Sequence, residues 1–201
     1  AASQISQQPV SDSGENPRFS TRPQFLTEEG LTPAERGEAL HRFMQFCNYS
    51  KAAQDPAGEV QRLAAAGFLS QAEAESIPLR RVARFFSSPL AKRIFDAQRV
   101  HRELRFLAVL GEQELSRWRS DIRGDGVTTV QGVADCVFVE DGQGVIVDYK
   151  TDWVTQEEQL LERYRPQLEL YRMILEKSLE IPVKECIIYS FHLGKAIAVT
   201  P

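Results

Sequence analysis

Hydrophobic and polar positions follow two rhythms along this chain. Up to about residue 99 the apolar residues recur at helical spacing in short runs. Beyond it they gather into strand-length runs, interrupted by one long amphipathic stretch. Thr32-Pro33-Ala34-Glu35 is a capping box with proline at the first helical position. It opens a helix whose apolar side is Ala39, Leu40, Phe43, Phe46 and Cys47. Further short helices are predicted over 56–67, from a second capping box at Ser70-Gln71-Ala72-Glu73, and from Ser88-Pro89 to about 97; Pro78 interrupts the second of these or starts the next. Such short helices form a small bundle against one face of a sheet.

The second rhythm begins with a strand over 100–109. Residues 114–118 read as an edge strand or loop and 121–126 as a turn. Two apolar, β-branched runs, 133–139 and 145–149, flank Glu140-Asp141-Gly142-Gln143-Gly144 and predict a hairpin. After a loop over 151–156 comes an amphipathic helix, which Pro166 kinks or restarts, with Leu168, Leu170, Tyr171 and Ile174 on its buried side. Residues 185–191 and 196–200 read as a closing hairpin around a turn at 192–195. Residues 1–22 are polar, with almost nothing to bury, and read as a linker or disordered tail.

Composition narrows the class. A chain of 201 residues that is 42% hydrophobic supports one domain with a real core and excludes a disordered chain. The net charge of −4 argues against a general nucleic-acid coat. Charge is unevenly spread, however. Between Pro78 and Arg105 stand eight basic side chains (Arg80, Arg81, Arg84, Lys92, Arg93, Arg99, Arg102, Arg105) against Asp96 and Glu103 alone. This is either a solvated helix face or a phosphate-binding patch carried by Arg80, Arg81 and Arg84, with Phe85 and Phe86 in the core. Cys47, Cys136 and Cys186 lack metal-site spacing and read as buried reduced thiols, which fits a cytoplasmic protein. No membrane span and no signal peptide are evident. Gly194-Lys195 lacks the glycine spacing of a phosphate loop, so no ATP site is expected here. The chain opens Ala-Ala-Ser without Met, as a processed chain or a piece of a larger one would.

The candidate chemistry lies in the central hairpin. Its apolar strands carry Asp135, Asp148 and Lys150, and a charge on a buried strand is costly unless it is paired or binds a metal. Asp148 and Lys150 are two apart and share a face, and Asp135 can lie beside Asp148 on the neighbouring strand. Two carboxylates and an ammonium would then converge, as a salt-bridged hairpin or as hard oxygen ligands suited to Mg²⁺ or Mn²⁺.

Gly132-Val133-Ala134-Asp135 followed by Val147-Asp148-Tyr149-Lys150-Thr151 resembles the core of the PD-(D/E)xK nucleases. More narrowly, it resembles the RecB-type nuclease domain of the AddA family of bacterial helicase–nucleases. Two other segments are similar to that family. Arg36-Gly37-Glu38-Ala39-Leu40-His41 matches the motif in which a glycine precedes a helical histidine at the metal, and Tyr164-Arg165-Pro166-Gln167-Leu168-Glu169-Leu170-Tyr171 matches the Gln-x-x-x-Tyr motif that closes the site. Glu103-Leu104-Arg105-Phe106 keeps the family's Glu and Phe but has Arg where Pro is usual.

The resemblance implies an α/β, restriction-endonuclease-like fold: a mixed central sheet flanked by helices, with the site at its divergent edge. A linker (1–22) and a helical part carrying His41 (23–99) would precede a nuclease core (100–201). His41, Asp135, Asp148 and the Tyr149 carbonyl would hold Mg²⁺. Lys150 would serve catalysis, Glu103 would stand in or near the metal shell, and Gln167 and Tyr171 would position the DNA. The implied protein is a bacterial cytoplasmic DNA exonuclease, joined to upstream helicase domains and to a second, AddB-like nuclease partner, acting in break repair and recombination. A catalytically silent DNA-binding or docking module of the same fold, and a stand-alone endonuclease, are the alternatives.

Overall fold

The computed structural model describes residues 30–113 and 127–199. The tail predicted over 1–22, and the elements predicted over 114–118 and 121–126, lie outside them. Among the described residues six short helices come first: α1 Pro33–Phe46, α2 Tyr49–Gln54, α3 Pro56–Ala65, α4 Gln71–Ser76, α5 Leu79–Phe86 and α6 Pro89–Asp96. Then follow β1 Arg99–Leu110, β2 Thr128–Glu140, β3 Gln143–Lys150, α7 Glu158–Leu179, β4 Val183–Ser190 and β5 Lys195–Val199. None of these helices is long and apolar enough to cross a membrane.

Both predicted capping boxes form, at Thr32/Glu35 and Ser70/Glu73, because each satisfies helix-end N–H groups locally. Helix α2 is an element the sequence pattern did not give. Asn48 caps it by accepting from the Lys51 N–H, while the Asn48 N–H donates to the buried Glu59 carboxylate. Phe46, expected in the core, is partly exposed and lies against the equally exposed Phe68; Met44 is buried instead. Helix α7 runs through Pro166 without restarting. The connection predicted over five residues tightens to Asp141-Gly142, since Glu140 pairs with Gln143 and Val139 with Gly144. Both turn residues have positive φ (52° and 73°), as a two-residue hairpin turn of the primed type requires.

The five strands lie in the order β1-β2-β3-β4-β5. All neighbours are antiparallel except β3 and β4, whose parallel pairing needs the crossover through α7. One face, carrying Cys136, Phe138, Val147, Tyr149, Ile187 and Tyr189, packs on the helical bundle through Leu40, Phe43 and Phe85. The other, carrying Val137, Ile146 and Ile188, packs on α7 through Leu160, Leu168 and Ile174. Two arginines of the basic run are absorbed by this packing. Arg93 joins Glu140 (2.5 Å) to Glu185 (2.7 Å), and Arg102 donates to the Cys47 carbonyl at the end of α1 (2.6 Å) while lying over the Tyr49 ring.

Strand register places the site. Strand β2 pairs with β1 from Val139 down to Thr128, but with β3 only as far as Cys136↔Val147. Beyond that pair β2 follows β1 away, while β3 continues beside β4 to Lys150↔Ser190. The sheet forks at Asp135 and Asp148.

Candidate active site

Strand parting leaves backbone groups without ladder partners, and the side chains at the fork take them up. The Tyr149 N–H donates to Asp135 Oδ2 (2.7 Å). The other oxygen of that carboxylate, Oδ1, lies 3.3 Å from His41 Nδ1. His41 is carried in by α1, one turn after Gly37. A Cβ on Gly37 would sit 3.0 Å from Thr151 Oγ1, so the absence of a side chain lets α1 come this close to the end of β3. Glu103 on β1 stands at the register position opposite Asp135: Arg102↔Cys136 and Leu104↔Ala134 pair on either side of it. Its φ of 50° lies in the left-handed region, a strain of about 1–3 kcal/mol for a residue with a Cβ. One ligand atom from each of His41, Glu103 and Asp135 falls within 4.8 Å of the others.

Asp148 and Lys150 complete the cluster. Asp148 is only 5% exposed, and Lys150 Nζ lies 2.8 Å from its Oδ2. The contact is close but poorly directed as a hydrogen bond, so among the described residues this buried oxygen has no aligned donor. Burial pushes the Asp148 carboxyl up to about 6, with Asp135 adding repulsion and Lys150 opposing both. Burial also works to strip Lys150 of its proton, but Asp148 outweighs it and holds the ammonium above the usual lysine range. Burial alone would lower His41; its hydrogen bond to Asp135 and the charge of that carboxylate raise it instead. Glu103 is raised by burial and then by Asp135. Asp148, expected among the ligands, falls outside the group formed by His41, Glu103 and Asp135; that group, beside a buried Asp148 oxygen lacking a directed donor, fits a hard divalent cation.

Of the other sequence-predicted residues, Tyr149 enters the site through its backbone. Its ring points into the opposite face, where its hydroxyl meets that of Tyr49 (3.1 Å) and its edge meets Phe85. Gln167 Nε2 donates to the Tyr171 hydroxyl (2.9 Å), and the Tyr171 ring packs edge-on against Phe106 on β1. Phe106 in turn lies over Gly132, where a Cβ would come within 2.4 Å of the ring. The α7 residue that touches the ion pair is Tyr164, three positions before Gln167. Lys150 Nζ sits 4.0 Å above its ring, and its hydroxyl donates to Asp152 (3.1 Å). Tyr164 is absent from the residues expected on sequence grounds, although its helical spacing from Gln167 was a signal.

Arg81 on α5 is half-buried beside His192, whereas Arg80 and Arg84 are exposed and Arg84 lies across the Gly194 turn. The three cysteines are buried and unbridged; burial pushes the Cys47 and Cys136 thiols up to about 12. A cleft of about 500 Å³ opens over His41, Glu103 and Asp135.

The chain matches the sequence model of the PD-(D/E)XK nuclease superfamily over residues 18–195. It is similar to an ATP-dependent helicase/nuclease chain of Geobacillus kaustophilus, 39% identical over 197 residues, which is 92% of this chain and 16% of that relative. The protein of the same description from Bacillus cytotoxicus is 35% identical over 191 residues, covering 89% of this chain and 15% of the relative. The one from Geobacillus thermodenitrificans is 37% identical over 189 residues, with the same coverage. The chain thus spans a small part of each relative's length.

Proposed function

From the premise that this chain belongs to the PD-(D/E)XK nuclease superfamily, we propose that it is the Mg²⁺-dependent exonuclease domain of a bacterial ATP-dependent helicase–nuclease, with Mn²⁺ as a substitute metal. The observation that carries this reading is that, at the fork of the sheet, His41, Glu103 and Asp135 come within ligand distance of one another while the Asp148–Lys150 pair stands on the adjoining strand. His41, Glu103, Asp135 and Asp148 would hold the cation, with the Tyr149 backbone beside them. A divalent cation bound there supplies a water of lowered pKa and neutralises a phosphate oxygen.

The protein's own groups do the rest. The Tyr149 N–H and His41 fix both oxygens of Asp135. Lys150, kept protonated by Asp148 and steadied over Tyr164, donates to the attacking water or to the phosphate as negative charge builds on it. Gln167 and Tyr171, locked together and against Phe106, present a preset polar edge to the DNA strand. Arg81, with Arg80 and Arg84, contributes phosphate contacts farther along. The length of the relatives and their description as helicase/nuclease proteins support a cytoplasmic protein in which upstream helicase domains feed DNA to this site. An AddB-like second protein would work beside it in double-strand-break repair and recombination.

The test is cleavage of end-labelled linear single- and double-stranded DNA in Mg²⁺, Mn²⁺, Ca²⁺ or EDTA, beside Asp148→Ala. The expected result is release of short end products that needs Mg²⁺ or Mn²⁺ and disappears in the variant. Wild-type rates in Asp148→Ala, or cleavage in EDTA, would contradict it.

A further inference from the structure

A second cleft of about 720 Å³ adjoins the first and shares Pro33, Ala34, Gly37 and Thr151 with it. Arg36, Arg81 and Trp153 line this second cleft and not the first. Trp153, three residues beyond Lys150, is 76% exposed, a large apolar ring left in water beside a charged site. It does not stand alone. Its ring lies 5.5 Å from that of His192, whose Nδ1 is 3.3 Å from Arg81 Nη2. Arg36, which lines the same cleft, uses one guanidinium donor on the Leu31 carbonyl (2.6 Å) and carries five in all. Among the described residues the one carboxylate lining this cleft, Asp152, is engaged by Arg163 (2.6 Å) and Tyr164. An aromatic face flanked by guanidinium groups, in a groove continuous with a phosphodiester-cleaving site, has the composition of an unpaired-strand binding track.

We propose that Trp153, backed by His192 and flanked by Arg36 and Arg81, is a stacking platform for a base of single-stranded nucleic acid whose neighbouring phosphates run into the cleft over Asp135. This rests on the nuclease reading for its direction toward Asp135. Duplex does not qualify as the ligand, because its bases are already stacked on one another and offer no free face. The platform is indifferent to sequence, since every base has a π-face.

The test uses the 201-residue chain with Trp118→Phe, so that Trp153 is its sole tryptophan. Oligothymidylate is titrated in Ca²⁺, reading indole emission and the anisotropy of labelled oligonucleotide. Quenching on addition of single strand but not of blunt duplex is expected. Trp153→Ala should weaken single-strand binding about tenfold, with Trp153→Phe recovering most of it. Unmoved emission, with Trp153→Ala binding as tightly as its parent, would overturn the proposal and leave Trp153 as a contact for another protein surface. The same samples moved to Mn²⁺ separate the two readings. Cleavage without quenching sinks the platform and spares the nuclease; quenching without cleavage sinks the nuclease and spares the platform.

Discussion

At the scale of single residues, Asp148 and Lys150 are the most informative pair. They touch, they are nearly buried, and each moves the other's protonation. Lys150→Ala removes the ammonium but none of the proposed ligands. It is expected to keep Mn²⁺ binding within a few-fold while single-turnover cleavage falls by about 10²-fold or more, as losing one preorganised donor to a transition-state charge does. Equal rates in the two proteins would remove Lys150 from the chemistry. Glu103 teaches a different lesson. Its place on a strand was legible, but its left-handed backbone was not, because the sequence pattern reports which residues are apolar and not the backbone angles of a polar residue within a paired strand. Trp153 was illegible for a related reason: one exposed aromatic in a loop carries no periodicity.

At the scale of elements, the motif glycines have steric explanations. Gly132 makes room for the Phe106 ring, and Phe106 supports Tyr171 and hence Gln167. Gly132→Ala should therefore destabilise the fold by about 1–3 kcal/mol through overpacking, and Phe106→Leu in the same chain should recover part of it. Urea unfolding of the two variants checks this; additive losses would mean that the ring and the glycine do not compete. Gly37→Val is expected to leave the chain folded by circular dichroism but to lower cleavage about tenfold or more, because misplacing a catalytic group by about 1 Å suffices for such losses. An unchanged rate would show that α1 can retreat from Thr151 without moving His41. Helix starts were legible here since capping is local chemistry written in consecutive residues. Of the two readings of Pro166, the restart does not occur: burial of Leu160, Leu168 and Ile174 against the sheet keeps α7 one helix through a residue that lacks an N–H.

At the scale of the whole molecule, the sheet is clamped between two hydrophobic layers, and its charged fork, the proposed site, sets a buried carboxyl between them. Asp148 has a folded pKa of about 6 against 3.8 for an ordinary aspartate, so the folded state holds its proton more tightly than the unfolded one. Its contribution to stability is full below about pH 4 and is lost as pH rises through 6, by about 3 kcal/mol for a displacement of this size. His41, also raised, loses its contribution at higher pH, above 6.5. The urea midpoint of the wild type in EDTA, taken relative to that of Asp148→Asn at each pH, should accordingly fall between pH 4 and 6, whatever Glu59, Glu73 and Glu140, all lowered by their partners, add to both proteins. A difference that rises over that range would contradict the burial argument. The hairpin and its misplaced Asp135, Asp148 and Lys150 were legible in the strand pattern itself, whereas the mixed sheet and its divergent edge were implied only by the family resemblance. Periodicity could not show the fork, because it is a property of register between strands.

Asp135 is the proposed centre of a divalent-cation site, held by the Tyr149 N–H on one oxygen and His41 on the other. The direct measurement is a titration of the chain with Mn²⁺, following free Mn²⁺ by electron paramagnetic resonance, beside Asp135→Asn. Saturable binding in the wild type, weakened about tenfold or more in the variant as expected for loss of a charged hard ligand, is the result predicted. Equal binding by both proteins, or none by either, would contradict it.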